Sequence, residues 1–450
     1  MNGLRGLEGV AAGLVVAVLV AACGQSGVAP APSPSPASCQ ALGRGTVFQR
    51  PSQRVPPAGQ LVVRLRPGVP VEQAADLAGG VGAEVVKVRR RARALVVRPR
   101  GGVGLVQLST QLAADPRVAG VEPHLRVRAL QPAPDDPLYP GQWALAQVRA
   151  PDAWQLTVGG GVKVAVVDTG ISPHPDVPRP AAGYDFVEDD ADPTDRGDPS
   201  FDCTSHGTMV ASVLAALTNN GRGMAGVTWG GVELLVARVL DEQGNGSLLD
   251  VEEALRWAAE RGARVANLSL GTQEPVACPD GLRAAVREVV SRGVLVVAAA
   301  GNNGPQAGTV VCPANLTEVV AVAATGPDGA VAWYSSRGSE VDLAAPGGSA
   351  LGSCDADVRT ASPSASNPED YPCAAGTSFA APHVSGTAAL VLSRWPSLTP
   401  DQVRGKLQQA AEDIGEPGRD RDSGCGLLRA DRAVRGESAP APACPWPSNQ

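Results

Sequence analysis

The 450-residue sequence predicts an α/β fold, helices covering both faces of a mostly parallel sheet, with a smaller α+β unit in front of it. Three observations carry that expectation. From Trp143 onward, apolar runs such as V-K-V-A-V-V-D and V-L-V-V-A-A-A alternate with amphipathic stretches such as L-D-V-E-E-A-L-R-W-A-A-E-R. The runs show no polar alternation, as expected of strands buried on both faces. Between residues 60 and 130 the rhythm differs: strand, helix, two strands, helix, strand, which is the ferredoxin-like order.

The chain opens on an apolar stretch from Val10 to Ala22, shorter than the ~20 residues of a membrane-spanning helix. Residues 1–22 therefore read as an export leader. Val20-Ala21-Ala22-Cys23 resembles a bacterial lipoprotein box, which would lipidate Cys23; an ordinary leader cut nearby is the alternative. On either reading the protein is secreted or extracytoplasmic. Its nine cysteines, none in a C-x-x-C pair, then read as disulfide formers rather than metal ligands. Residues 23–59 form a Pro/Ser-rich linker, G-V-A-P-A-P-S-P-S-P-A-S at its centre.

In the 60–130 unit, L-V-V-R-L-R-P-G, A-E-V-V-K-V, A-L-V-V-R-P and V-A-G-V-E-P-H-L-R-V read as strands. V-E-Q-A-A-D-L-A and V-G-L-V-Q-L-S-T-Q-L-A-A-D read as the helices between them. P-A-P-D-D-P-L-Y-P then breaks the pattern. Beyond it come five strands, at V-K-V-A-V-V-D, V-E-L-L-V-A-R-V-L, V-A-N-L-S-L, V-L-V-V-A-A-A and V-V-A-V-A-A. The helices start at His206, near Leu249, at Gly281 and at Ser378. In sheets of this kind sites gather at the carboxyl ends of strands.

Charge divides the chain. Residues 1–130 carry 16 Lys/Arg against 6 Asp/Glu, and residues 131–450 carry 22 against 39, so a basic front precedes an acidic back. The basic stretch R-R-R-A-R has no interleaved aromatics and no recognisable module around it, so no nucleic-acid partner is expected.

Reactive side chains stand where the pattern places strand ends and helix starts. V-A-V-V-D-T-G ends a strand on Asp168, S-H-G-T-M-V-A-S opens a helix on His206, and C-A-A-G-T-S-F-A-A-P-H-V puts Ser378 at the mouth of an apolar helix. Singly each has a plainer meaning. A serine at that place can cap a helix, and His206 can be an ordinary helix-start residue. D-T-G also marks aspartic proteases, but no second such motif is present. Together they supply a nucleophile, a base and an orienting carboxylate. A-A-A-G-N-N-G adds Asn302, whose amide can donate to an oxyanion. The order Asp, His, Ser is one of three in which this chemistry recurs.

These four motifs, over residues 136–434, resemble the signatures of the subtilisin-type serine endopeptidases. The resemblance implies a seven-stranded, three-layer α/β sandwich that cleaves peptide bonds through an acyl-enzyme. It implies that Asp168 orients, His206 is general base and acid, Ser378 attacks, and Asn302 with the Ser378 amide holds the oxyanion. His174 and His383 take structural places. The 60–130 unit resembles the family's inhibitory, folding-assisting propeptide, and D-D-P-L-Y-P-G-Q-W the start of the mature enzyme. Residues 131–436 are then the peptidase domain and 437–450 a Pro-rich tail. The expected partners are polypeptide substrates and the chain's own propeptide, with a monomer as the working unit.

By the same map, Ser269, Leu270 and Gly271 face Gly244, Asn245 and Gly246 across an extended substrate. Val311, in V-V-C-P-A, stands where many subtilisins have a glycine at the base of the specificity pocket, which favours small or medium apolar side chains. Asp176 and Asn220 match a family calcium site, although a turn rich in Asn and Gly needs no metal. Catalysis calls for no cofactor. Cys278 with Cys312 matches a pair seen in relatives, and Cys354 with Cys373 closes the loop before the nucleophile. Cys203 lacks its usual partner. A bridge between Cys39 and Cys444 would tether a cleaved enzyme to its front part; release with one thiol left free is the alternative, and the partners of Cys203 and Cys425 stay open. The rival readings are an esterase or ligase using the same residues, and a cell-surface binding protein whose triad is idle behind a permanent prodomain.

Overall fold

The structure is a computed structural model that describes residues 14–15, 59–72, 76–100, 102–124, 133–198, 200, 202–306, 308–439 and 444. The chain divides into two compact units, 27–131 and 132–450, the latter joined by residues 1–26. Cys23, Cys39 and the linker lie outside the described residues.

The smaller unit is a four-stranded antiparallel sheet in the order Ala83–Arg89, Ala94–Pro99, Leu61–Leu65, Val118–Pro123. Helices Asp76–Gly79 and Leu105–Ala113 complete the βαββαβ order. Alternation in Leu61–Leu65 points Leu61, Val63 and Leu65 inward, where they meet Leu77, Leu95, Val97, Leu108 and Leu112 in one core.

The larger unit is built on seven strands, all parallel. Their order is Val341–Pro346, Val320–Thr325, Leu295–Ala299, Val265–Leu268, Lys163–Asp168, Glu233–Arg238, Ala182–Asp185. Five are the strands read from the sequence; the two edge strands escaped the pattern. Successive residues of Lys163–Asp168 feed opposite cores: Val164 and Val166 join one, Ala165 and Val167 the other. That is why these strands lack polar alternation. Helices His206–Ala215 and Thr377–Arg394 bury themselves on the first face, and Leu248–Glu260 and Asp280–Ser291 on the second. No helix among the described residues is long and apolar enough to cross a membrane.

Disulfides join Cys278 to Cys312 and Cys354 to Cys373, the two expected pairs. A third joins Cys425 to Cys444 and corrects the expected bridge from Cys444 to Cys39. Closing a 19-residue loop onto a buried cysteine costs less chain entropy than recruiting a far more distant one. Cys203 is free.

Candidate active site

Asp168 is the last residue of the central strand Lys163–Asp168 and is fully buried. His206 opens the helix His206–Ala215, whose N-cap is Ser205, its hydroxyl accepting from the Thr208 amide. The two motifs pack at van der Waals limits. A Cβ added to Gly207 would fall 2.0 Å from the carbonyl oxygen of Gly170, so the glycine of S-H-G-T lets the helix start sit on the turn of D-T-G. His206 Nδ1 thereby lies 2.7 Å from Asp168 Oδ1. A carboxylate oxygen can only accept, so Nδ1 is the donor, and in the neutral ring that tautomer leaves the lone pair on Nε2. Neither His206 Nε2 nor Asp168 Oδ2 has a partner among the described residues.

Ser378 lies in the first turn of the helix Thr377–Arg394. The N-cap is Gly376 and no side chain caps this helix, so the hydroxyl of Ser378 is not spent on capping. It donates to the carbonyl of Ser269 at 3.2 Å. Pro382, four residues on, has no N–H to give the carbonyl of Ser378, and the hydroxyl of Ser269 donates to it instead at 2.7 Å. Ser269 Oγ accepts from Asn267 Nδ2 at 3.0 Å, and Asn267 Oδ1 accepts from Ser385 Oγ at 2.8 Å. This buried chain fixes the first turn of the nucleophile's helix against the end of the strand Val265–Leu268. Phe379 packs against the imidazole of His206, ring centroids 5.8 Å apart.

Asn302 Oδ1 accepts from both the amide and the hydroxyl of Thr377, each at 3.0 Å. Those two bonds orient the side-chain amide beside Gly376 and the start of the nucleophile's helix.

A cavity of about 260 Å3 opens beside Ser378, lined by Ser269, Leu270, Gly271, Asn302, Val311 and Thr377 among others, and no charged side chain lines it. Val311 closes its base: added Cβ atoms would fall 2.4 Å from it at Gly271 and 3.0 Å from it at Gly301. Gly244, Asn245 and Gly246 form a separate edge, where Asn245 and Gly246 pair antiparallel with Val15 and Leu14.

The structure brings Asp176 and Asn220 together, but not as ligands of a cation. Asn220 Nδ2 and the Met224 amide donate to the two oxygens of Asp176 at 2.8 and 2.9 Å, and Asn220 Oδ1 accepts from the Arg222 amide. Calcium takes six to eight oxygens turned inward; here both carboxylate oxygens already accept N–H groups. The ring of Tyr371 fills the space against Gly223. As arranged, these residues do not fit a calcium ion. Among the described residues no group of three or more His, Cys, Asp or Glu could hold a metal.

Nothing local singles out Asp195, in the acidic loop D-P-T-D-R-G, which is buried and bonded to the residues beside Asp168 and His206. His383 is buried as the resemblance implied, its Nδ1 2.8 Å from the Phe379 carbonyl.

Residues 159–426 match the family model described as the Subtilase family. The chain belongs to the subtilases. This subtilase is 40% identical over 295 residues to Subtilisin Savinase of Lederbergia lenta, covering 65% of the chain and 98% of that protein. It is 37% identical over 365 residues to an extracellular protease of Xanthomonas campestris pv. campestris, covering 73% of the chain and 61% of that protein. A solved structure of a protease from Pseudoalteromonas arctica superposes with a TM-score of 0.61 at 32% identity, covering 68% of this chain and 99% of that one. The subtilase is a serine endopeptidase of subtilisin type.

Proposed function

We propose that the enzyme hydrolyses polypeptides outside the cytoplasm through an acyl-enzyme on Ser378. The observation that carries this is the buried Asp168–His206 pair at 2.7 Å, with Nε2 left without a partner among the described residues and the imidazole packed against Phe379, the residue after Ser378. Nε2 takes the proton of Ser378 as its oxygen attacks the scissile carbonyl, and Asp168 holds the tautomer and stabilises the imidazolium. Asn302 and the Ser378 amide donate to the oxyanion, a role worth about 3–4 kcal/mol per donor. The imidazolium then returns its proton to the leaving amine, and water repeats the sequence to release the acyl group.

Substrate lies extended between Ser269, Leu270, Gly271 and the edge at Gly244, Asn245, Gly246. The uncharged cavity closed by Val311 takes small or medium apolar side chains. Residues 60–130 act as an inhibitory propeptide removed by self-cleavage between about residues 127 and 135. The leader exports the chain, with Cys23 as a lipid attachment point, and the mature enzyme works as a monomer.

The test follows the exported precursor and its Ser378→Ala form by chain length in a host lacking other proteases. The parent shortens and hydrolyses peptide substrates; the variant stays at precursor length and is inert. A variant that matures in such a host would refute the assignment.

A further inference from the structure

Asp195 has 2% of its surface exposed. Its Oδ2 accepts from the hydroxyl of Thr169, the residue after Asp168, and from the hydroxyl of Ser205, the residue before His206, the latter at 2.7 Å. Thr169 Oγ1 in turn accepts from the amide of Gly207, the residue after His206, at 2.9 Å. Asp195 Oδ1 accepts from the Gly197 amide at 2.8 Å, and its backbone carbonyl accepts from the Ser172 hydroxyl. One carboxylate thus ties the strand end that carries Asp168 to the helix start that carries His206.

We propose that Asp195 is a positioning residue for the hydrolytic reaction, acting through Thr169 and Ser205 to hold Asp168 and His206 in register. Apart from this network, the two segments, which come from different elements, are joined by the Asp168–His206 bond itself, by the Ser172 amide donating to Thr208 Oγ1 at 2.7 Å, and by the close approach of Gly207 to Gly170. The carboxylate is an expensive choice of brace. Among the described residues it has no direct cationic partner: the nearby Arg238 is engaged with Asp185 and Glu242. Burial and the charge of Asp168 push the Asp195 carboxyl above its ordinary range, while Thr169, Ser205 and Gly197 donate against that shift. Buried charges of this kind contribute little net stability, whereas an oxygen able to accept from two hydroxyls at once is what joining these two segments requires.

This rests on His206 and Ser378 acting as proposed above, and a Ser378→Ala chain in the same assay tests that reading separately. Asp195→Ala, Asp195→Asn and Thr169→Val are made in the full-length chain, with active enzyme counted by sulfonylation of Ser378 and stability read from thermal unfolding of the sulfonylated form. Asn keeps one oxygen for Thr169 and Ser205 and loses only the Gly197 bond; Val removes the hydroxyl on the Asp168 side. Misplacement by about 1 Å costs about 100-fold, so Asp195→Ala is expected to lower kcat per titrated site by about 10- to 100-fold with KM within about twofold. Asp195→Asn should stay within about fivefold of the parent, and Thr169→Val should fall toward the alanine variant. Unchanged kcat in Asp195→Ala, a loss confined to KM, or an asparagine variant as slow as the alanine one would overturn the proposal. If the alanine chain does not fold, an unchanged kcat in Thr169→Val overturns it equally.

Discussion

The hydroxyl of Ser269 donates to the carbonyl of Ser378 at 2.7 Å, in the place where Pro382 leaves the helix without a donor. Ser269→Ala therefore strands a buried acceptor, at a cost of about 1–3 kcal/mol. Pro382→Ala restores an N–H at that place, so the double variant should recover part of the loss. A double-mutant cycle in denaturant unfolding should give a coupling of about 0.5–3 kcal/mol; strict additivity would show that Pro382 does not create the need for Ser269.

Oxidation offers a second check. Phe379, with no thioether, follows the nucleophile, and the enzyme's two methionines beyond Met1, Met209 and Met224, are each 1% exposed. Dilute peroxide should leave most activity intact, whereas Phe379→Met should make it decay in step with a 16-Da mass gain, an added oxygen atom. Rapid loss in the parent, matched to modification at Met209 or Met224, would contradict the first expectation.

Val311 lines the cavity beside Ser378, its methyls standing against Gly271 and Gly301. Val311→Gly should raise kcat/KM for an aromatic residue before the scissile bond by about tenfold relative to alanine there. Parallel assays of two peptides differing only at that residue measure the ratio.

Acid stability depends in part on His383. Burial holds its imidazole down at about 4, against an ordinary 6.5. Between those values the unfolded chain binds a proton that the folded chain refuses, so stability falls as pH is lowered through the window, by about 3 kcal/mol if His383 stays neutral throughout. Unfolding of the sulfonylated enzyme between pH 7 and 4 should show this slope, and His383→Gln should flatten it.

Thiol chemistry tests the cysteine pairing. Unreduced, denatured mature enzyme should react with one equivalent of thiol reagent, at Cys203, and mapping should find Cys444 linked to Cys425. Loss of that 19-residue loop in Cys444→Ser should cost about 3 kcal/mol. A Cys444 peptide linked to Cys39 would contradict the pairing.

Five of the seven sheet strands were legible as continuous Val/Ala runs, because a strand buried on both faces leaves a purely apolar signature. The edge strands did not show it. Ala182–Asp185 is four residues containing glycine, and Val341–Pro346 carries the buried Asp342 and ends on proline, features that a strand tolerates at a sheet edge. The places of Asp168, His206, Ser378 and Asn302 were likewise local: each ends a strand or opens a helix, and Gly207 and Gly376 sit where a side chain would collide or the backbone takes a positive φ. The partnerships were not local. Asp195 with Thr169 and Ser269 with the carbonyl opposite Pro382 join segments 26 and 109 residues apart, and even the nearer pairs, Asp195 with Ser205 and Cys425 with Cys444, carry no local signal of their pairing. The longer-range bonds at the site exist because parallel strands bring their carboxyl ends to one edge, where desolvation leaves few polar groups without a partner.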